Sequence, residues 1–86
     1  MIKIYKNLII NYVNNMTTND ILNFAKKNNI SISTSESIII YNFIKRNYKF
    51  ILNGDDSSLK ELKNSLREDL YNKIIELYMY YKNKLF

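Results

Sequence analysis

The chain has 86 residues, with 13 basic against 8 acidic groups for a net charge of +5, one Gly, and no Cys, His, Pro or Trp. Without thiol or imidazole, the usual thiolate nucleophiles, imidazole bases and N/S zinc sites are excluded, and so is a disulfide-stapled secreted scaffold. The length sets a ceiling of one compact domain over residues 1–86, in a size range where folding buries roughly 60% of the unfolded surface.

The segment from Met1 to Val13 is interrupted by Lys3, Lys6, Asn7 and Asn11, so it has no uninterrupted apolar core of a secretory signal. The sequence therefore predicts a soluble cytoplasmic protein, with no membrane segment and no cofactor. In that setting the sequons at Asn15 and Asn29 are chance matches in Asn-rich sequence. Asn, Lys, Ile, Tyr and Phe supply 51 residues and Lys outnumbers Arg 11 to 2; all five types are favoured by A/T-rich codons, which discounts the net charge as a sign of nucleic-acid binding. The charge is also uneven: residues 1–54 carry +5, whereas 55–86 are neutral.

Tyr5, Leu8, Ile9, Tyr12, Val13 and Met16 fall on one helical stripe, predicting a first helix over roughly 3–14. Thr17, three residues before Asp20, makes a capping box, and Met16 and Ile21 occupy the flanking staple positions. The second helix is expected to bury Ile21, Leu22, Phe24 and Ala25 and to end at Lys26-Lys27-Asn28-Asn29, where cations suit the dipole and Asn tolerates a left-handed backbone. Ile30 and Ile32 form an extended connector. Ser33 and Glu36 open a third helix running to about Arg46. The alternation of Tyr48, Phe50 and Leu52 with Lys49, Ile51 and Asn53 predicts an extended connector packed on the core, since a lone strand has no partner.

Asn53-Gly54-Asp55-Asp56 is a strong turn, after which Ser58 and Glu61 offer a capping box for a fourth helix. Apolar residues then keep helical spacing from Leu59 to Leu85. One helix of that length would span about 42 Å, so a break near 65–69, capped by Ser65 with Glu68, is the expected solution. The reading is all-α, a compact bundle of four or five short helices.

The succession Asn14-Asn15-Met16-Thr17, Asp20-Ile21-Leu22, Phe24-Ala25-Lys26, Ile30, Ile32-Ser33 and Arg46-Asn47-Tyr48 is similar to the YqfT-like proteins of Gram-positive bacteria. That small helical family has no known function. The resemblance covers about residues 8–83 and implies no activity, substrate or catalytic residue.

Two surfaces stand out. Lys26, Lys27, Lys45, Arg46 and Lys49 are candidate nucleic-acid contacts, and Phe24-Ala25 before Asn29-Ile30-Ser31 resembles a helix-turn-helix. Against this, Asn29 replaces the usual Gly, the link to Ser33 is long, and each basic cluster also complements its own helix terminus. Asp55-Asp56 and Glu68-Asp69 are paired carboxylates beside Ser residues, which capping explains without catalysis. The other surface is Ile74–Tyr81, apolar nearly all round. Its Tyr78, Met79 and Tyr80 are the candidate protein interface, while Tyr81 continues the inward stripe of Leu70, Ile74 and Leu77. The expected role is a non-enzymatic interaction module, its partner a protein or a second copy of the chain; the alternative is a small basic nucleic-acid-binding protein.

Overall fold

A computed structural model describes the backbone of residues 2–85 and the side chains of residues 6–84. Five helices follow one another: α1 (Ile2–Asn15), α2 (Thr18–Lys27), α3 (Thr34–Leu52), α4 (Leu59–Ser65) and α5 (Glu68–Leu85), with no strand among the described residues. The radius of gyration is 12.5 Å, close to the roughly 12 Å of a compact chain of this length. Tyr5 and Leu85, at the ends of two predicted stripes, have side chains outside those described.

α3 is the central element and packs on α1, α2 and α4. One cluster of buried side chains joins Phe43 of α3 to Leu62, Leu66 and Leu70 around the α4–α5 junction. Val13, Met16, Ile21, Ala25 and Leu52 are buried toward the α1–α2 link and the end of α3. Ser37 is 0% exposed; its hydroxyl donates to the Thr34 carbonyl at 2.6 Å, so the polar group is satisfied within its own helix.

The helix starts at α2 and α3 follow the sequence. Thr17 and Ser33 each accept from the backbone N–H three residues on, and Asp20 and Glu36 accept in return from the cap N–H at 2.9 Å. The ends of the same two helices share one device. At α2, the Ile30 N–H reaches the Ala25 carbonyl and the Asn29 N–H that of Lys26, while at α3 Asp55 reaches Phe50 and Gly54 reaches Ile51. These are Schellman motifs, which need a left-handed residue just past the helix. Asn29 (φ 58°) and Gly54 (φ 95°) provide it.

That second motif corrects the expected connector at 48–53. The chain stays helical until its only Gly, and the alternation is incidental to a helical stripe in which Ile40, Ile44, Tyr48 and Ile51 recur at spacings of four, four and three. Phe50 is left exposed. The Ser58 capping box is also corrected: Ser58 has helical backbone angles and makes no side-chain cap bond, and its buried Oγ lacks a partner. Asp55 instead accepts from the N–H and hydroxyl of Ser57, and α4 starts on the carbonyls of Asp56 and Ser57.

The predicted break lies at Leu66-Arg67, but Ser65 does not cap it. Its hydroxyl donates to the Glu61 carbonyl as the last residue of α4, and the Arg67 carbonyl accepts from Tyr71 at the start of α5. Leu66, extended and buried, turns the chain.

Candidate functional site

α3 is flanked by α1 and α2, and the C-terminal half of α5 closes over it incompletely. An apolar groove of about 290 Å³ is left, lined by Ile21, Phe24, Ile40, Ile44, Ile74 and Tyr81 among others. A second apolar groove, of about 230 Å³, is bordered by Ile9, Val13, Tyr48 and Ile51. Ile44, Tyr78 and Tyr81 border both grooves.

This arrangement corrects two burial expectations. Phe24 is exposed at the mouth of the first groove, its ring centroid 6.5 Å from that of Tyr81. Tyr81 does face the grooves, yet it keeps an exposed surface and meets Tyr80 edge-on at 5.2 Å. Leu22 is half-buried, while Ile21 and Ala25 are buried as expected.

The three members of the candidate interface part company. Tyr78 is half-buried and its hydroxyl donates to Asp56 Oδ2 at 3.1 Å, beside Lys82 Nζ at 3.3 Å from the same oxygen. Burial first, then the Asp56 hydrogen bond, pushes the Tyr78 phenol up to about 12. The Tyr78 hydroxyl and then Lys82 hold the Asp56 carboxyl below its ordinary value. Met79 and Tyr80 point outward, 45% and 52% exposed. Lys84 Nζ sits 4.8 Å from the Tyr80 ring centroid.

The basic candidates also divide. Lys45, Arg46 and Lys49 line one pocket with Asn14, Tyr48 and Phe50. Lys26 lines a separate one with Leu22 and Asn29, and Lys27 borders neither. Within the first pocket, Lys45 Nζ donates to the Asn14 carbonyl at 3.3 Å and lies over the Tyr41 ring, tying α3 to the end of α1. Arg46 reaches Glu61 of α4 only at 4.0 Å, with both side chains well exposed.

Residues 1–82 match the model of a family described as "Protein of unknown function (DUF2624)". The chain belongs to the DUF2624 family. The match supports the resemblance at its coarser level, an uncharacterised small family. Neither characterised proteins nor solved structures yielded a match.

Two residues that organise this DUF2624 protein escape sequence reading. Arg67 donates to Glu36 at 2.9 Å, to Asp69 and to the Ser31 carbonyl, joining the α2–α3 connector and the start of α3 to the α4–α5 break. The Ser33 N–H first, then Arg67, hold the Glu36 carboxyl below its ordinary value. Asp56 joins the α3–α4 loop to α5. Apart from the Arg67–Asp69 pair, these contacts span more than twenty residues and are not visible in local spacing; the only signal is that Arg67 is one of two arginines in a lysine-rich chain. Among the described residues no group of carboxylates could hold a metal ion, and no helix is long and apolar enough to cross a membrane.

Proposed function

We propose that this chain is a non-enzymatic protein-interaction module that associates with a second copy of itself through the outward face of α5. One observation carries the reading. Glu76, Tyr80 and Lys84 recur at four-residue spacing and so form a single stripe bordered by Met79, and all four side chains are exposed. Glu76 makes no ion pair among the described residues. In an antiparallel pairing about a two-fold axis at Tyr80, Glu76 of each chain lies opposite Lys84 of the other, with Met79 and Tyr80 between. The pattern is complementary to itself.

Light scattering and sedimentation across a wide concentration range test this. Glu76→Lys and Lys84→Glu, each alone, are expected to weaken association about tenfold through like-charge contacts repeated by symmetry. The double charge swap restores it, and Met79→Lys with Tyr80→Glu abolishes it. A monomer at every concentration, or a dimer indifferent to all these changes, overturns the reading.

A second reading, nucleic-acid binding, is favoured by the pocket that places Lys45, Arg46 and Lys49 beside Tyr48 and the exposed Phe50. Three phosphate contacts on duplex DNA predict a log–log salt dependence of about −2.7. Binding that is absent at low ionic strength, or flat with salt, removes it.

A further inference from the structure

Phe50 has no partner in the fold that accounts for it. It stands in the last turn of α3, 58% exposed, and among the described residues its ring meets neither another ring nor a cation. Its backbone is nevertheless fixed, because the Phe50 carbonyl accepts from Asn53 and Asp55 in the turn that ends the helix. An apolar ring is thus held in water, on the wall of the pocket that Lys45, Arg46 and Lys49 also line.

The three cations keep their charge. Lys45 Nζ donates to the Asn14 carbonyl at 3.3 Å and lies 5.5 Å from the Tyr41 ring centroid, while Lys49 Nζ lies 6.0 Å from that of Tyr48. A neutral carbonyl and two neutral rings orient these ammonium groups without cancelling them. Among the described residues neither lysine meets a carboxylate, and Arg46 reaches Glu61 only at 4.0 Å with both side chains well exposed, a pairing that water screens. Asp55, the next carboxylate along the chain, is taken by Ser57 and does not line the pocket. The Lys49, Phe50 and Ile51 carbonyls accept backbone N–H groups in the turn, which offsets the acceptor character of a helix end.

A cationic pocket alone suits any polyanion. The ring narrows the choice, because Phe50 neither donates nor accepts a hydrogen bond and gains only from an apolar face laid against it. The complementary ligand therefore carries anionic groups and flat apolar faces together. A duplex keeps its base faces stacked inside, whereas a single strand offers them, and stacking on aromatic side chains beside a basic surface is how unpaired bases are held. Amides complete the set. Tyr48 donates to Asn14 Oδ1 at 3.3 Å, which leaves the amide N–H groups of Asn14 to a base edge or a phosphate, and the exposed Asn53 lines the same pocket.

We infer that this end of α3 binds single-stranded nucleic acid, with an unpaired base stacked on Phe50 and the flanking phosphates against Lys45, Arg46 and Lys49. The inference rests on the nucleic-acid reading above and specifies its substrate as unpaired strands; it does not depend on self-association through α5.

The test titrates the whole chain by fluorescence anisotropy at low ionic strength against labelled oligothymidylate, oligouridylate, a duplex of the same length, and heparin as a polyanion without bases. At least one single strand is expected to bind about tenfold tighter than the duplex, and the sugar it prefers names DNA or RNA as the source. Three phosphates on a single strand predict a log–log salt dependence of about −2.1. Phe50→Ala weakens the single strand about tenfold, as for the loss of one stacked base, and leaves duplex and heparin little changed, whereas Phe50→Tyr keeps single-strand binding. Lys45→Glu with Lys49→Glu weakens every probe. In the wild-type chain the Phe50 ring protons shift upfield as the strand is added, a readout that needs no variant to fold. Probes that all bind alike, with no response to Phe50→Ala, overturn the inference. A duplex preferred to both single strands also overturns it but leaves the nucleic-acid reading in place, and absence of binding to DNA and RNA alike removes both.

Discussion

Asp56 and Tyr78 make an interaction whose pH dependence runs in two directions. The Tyr78 phenol is raised to about 12 in the folded chain from an ordinary value of 10.0, so its contribution is complete below pH 10 and is lost as pH rises toward 12. The Asp56 carboxyl is lowered from 3.8, so its contribution is present above that value and is lost as pH falls through the folded pKa. Tyr78→Phe is expected to cost about 1 kcal/mol at neutral pH, the worth of one hydrogen bond. The gap between wild type and Tyr78→Phe then closes between pH 10 and 12, which denaturant titrations at stepped pH will show. A gap that persists at pH 12 would mean that the stabilisation does not depend on the phenol proton. At the same scale Arg67 acts by geometry, since its planar fork meets Glu36, Asp69 and the Ser31 carbonyl together. Arg67→Lys keeps the charge but not the fork, and a lower thermal midpoint is the expected result.

At the scale of elements, legibility in the sequence followed the range of the interaction. The starts of α2 and α3 could be read because a capping box is complete within four residues, and Thr17 with Asp20 and Ser33 with Glu36 form as the spacing dictates. The start of α4 was misread because Ser58 and Glu61 satisfy the same pattern, while Asp55 captures Ser57 and sets the turn earlier. The C-terminal third of α3 was misread because Tyr48, Phe50 and Leu52 fit a two-residue period as well as a helical one, and only Gly54 marks where the helix stops. Caps and stops therefore offer clean tests. Thr17→Ala is expected to cost about 1 kcal/mol. Asn29→Ala is expected to cost about 1–2 kcal/mol because its φ of 58° is left-handed, whereas Asn29→Gly relieves that strain. Chemical denaturation at neutral pH measures all three. An Asn29→Ala variant as stable as wild type would mean that the chain past α2 relaxes out of the Schellman motif.

At the scale of the whole molecule, stability is concentrated at one end of α5. Leu70, 2% exposed, joins Phe43, Leu62 and Leu66 in the buried cluster, but from Tyr71 to Lys84 no side chain is fully buried. The sequence placed Leu70, Ile74, Leu77 and Tyr81 on one inward stripe, and the periodicity is right. It could not show that the grooves beneath would leave the stripe half-covered, because that depends on how closely α1 and α2 approach α5 across α3. The C-terminal half of α5 is therefore held by partial burial, by the Phe24–Tyr81 contact and by Asp56. Local opening free energies follow burial of this kind. Amide hydrogen exchange is expected to be slowest around Phe43 and Leu70 and to quicken past Leu77, before the last turn where any helix frays. Asp56→Asn weakens both the phenol and the ammonium contacts, so exchange from Tyr78 to Lys82 rises about tenfold, as for the loss of one hydrogen bond, while protection in α3 is unchanged. Leu70→Ala behaves differently: it costs about 2–5 kcal/mol, a large part of the total for a domain of this size, and protection falls throughout the chain. If Asp56→Asn instead lowered protection equally in α3 and α5, the C-terminal half of α5 would open only with global unfolding.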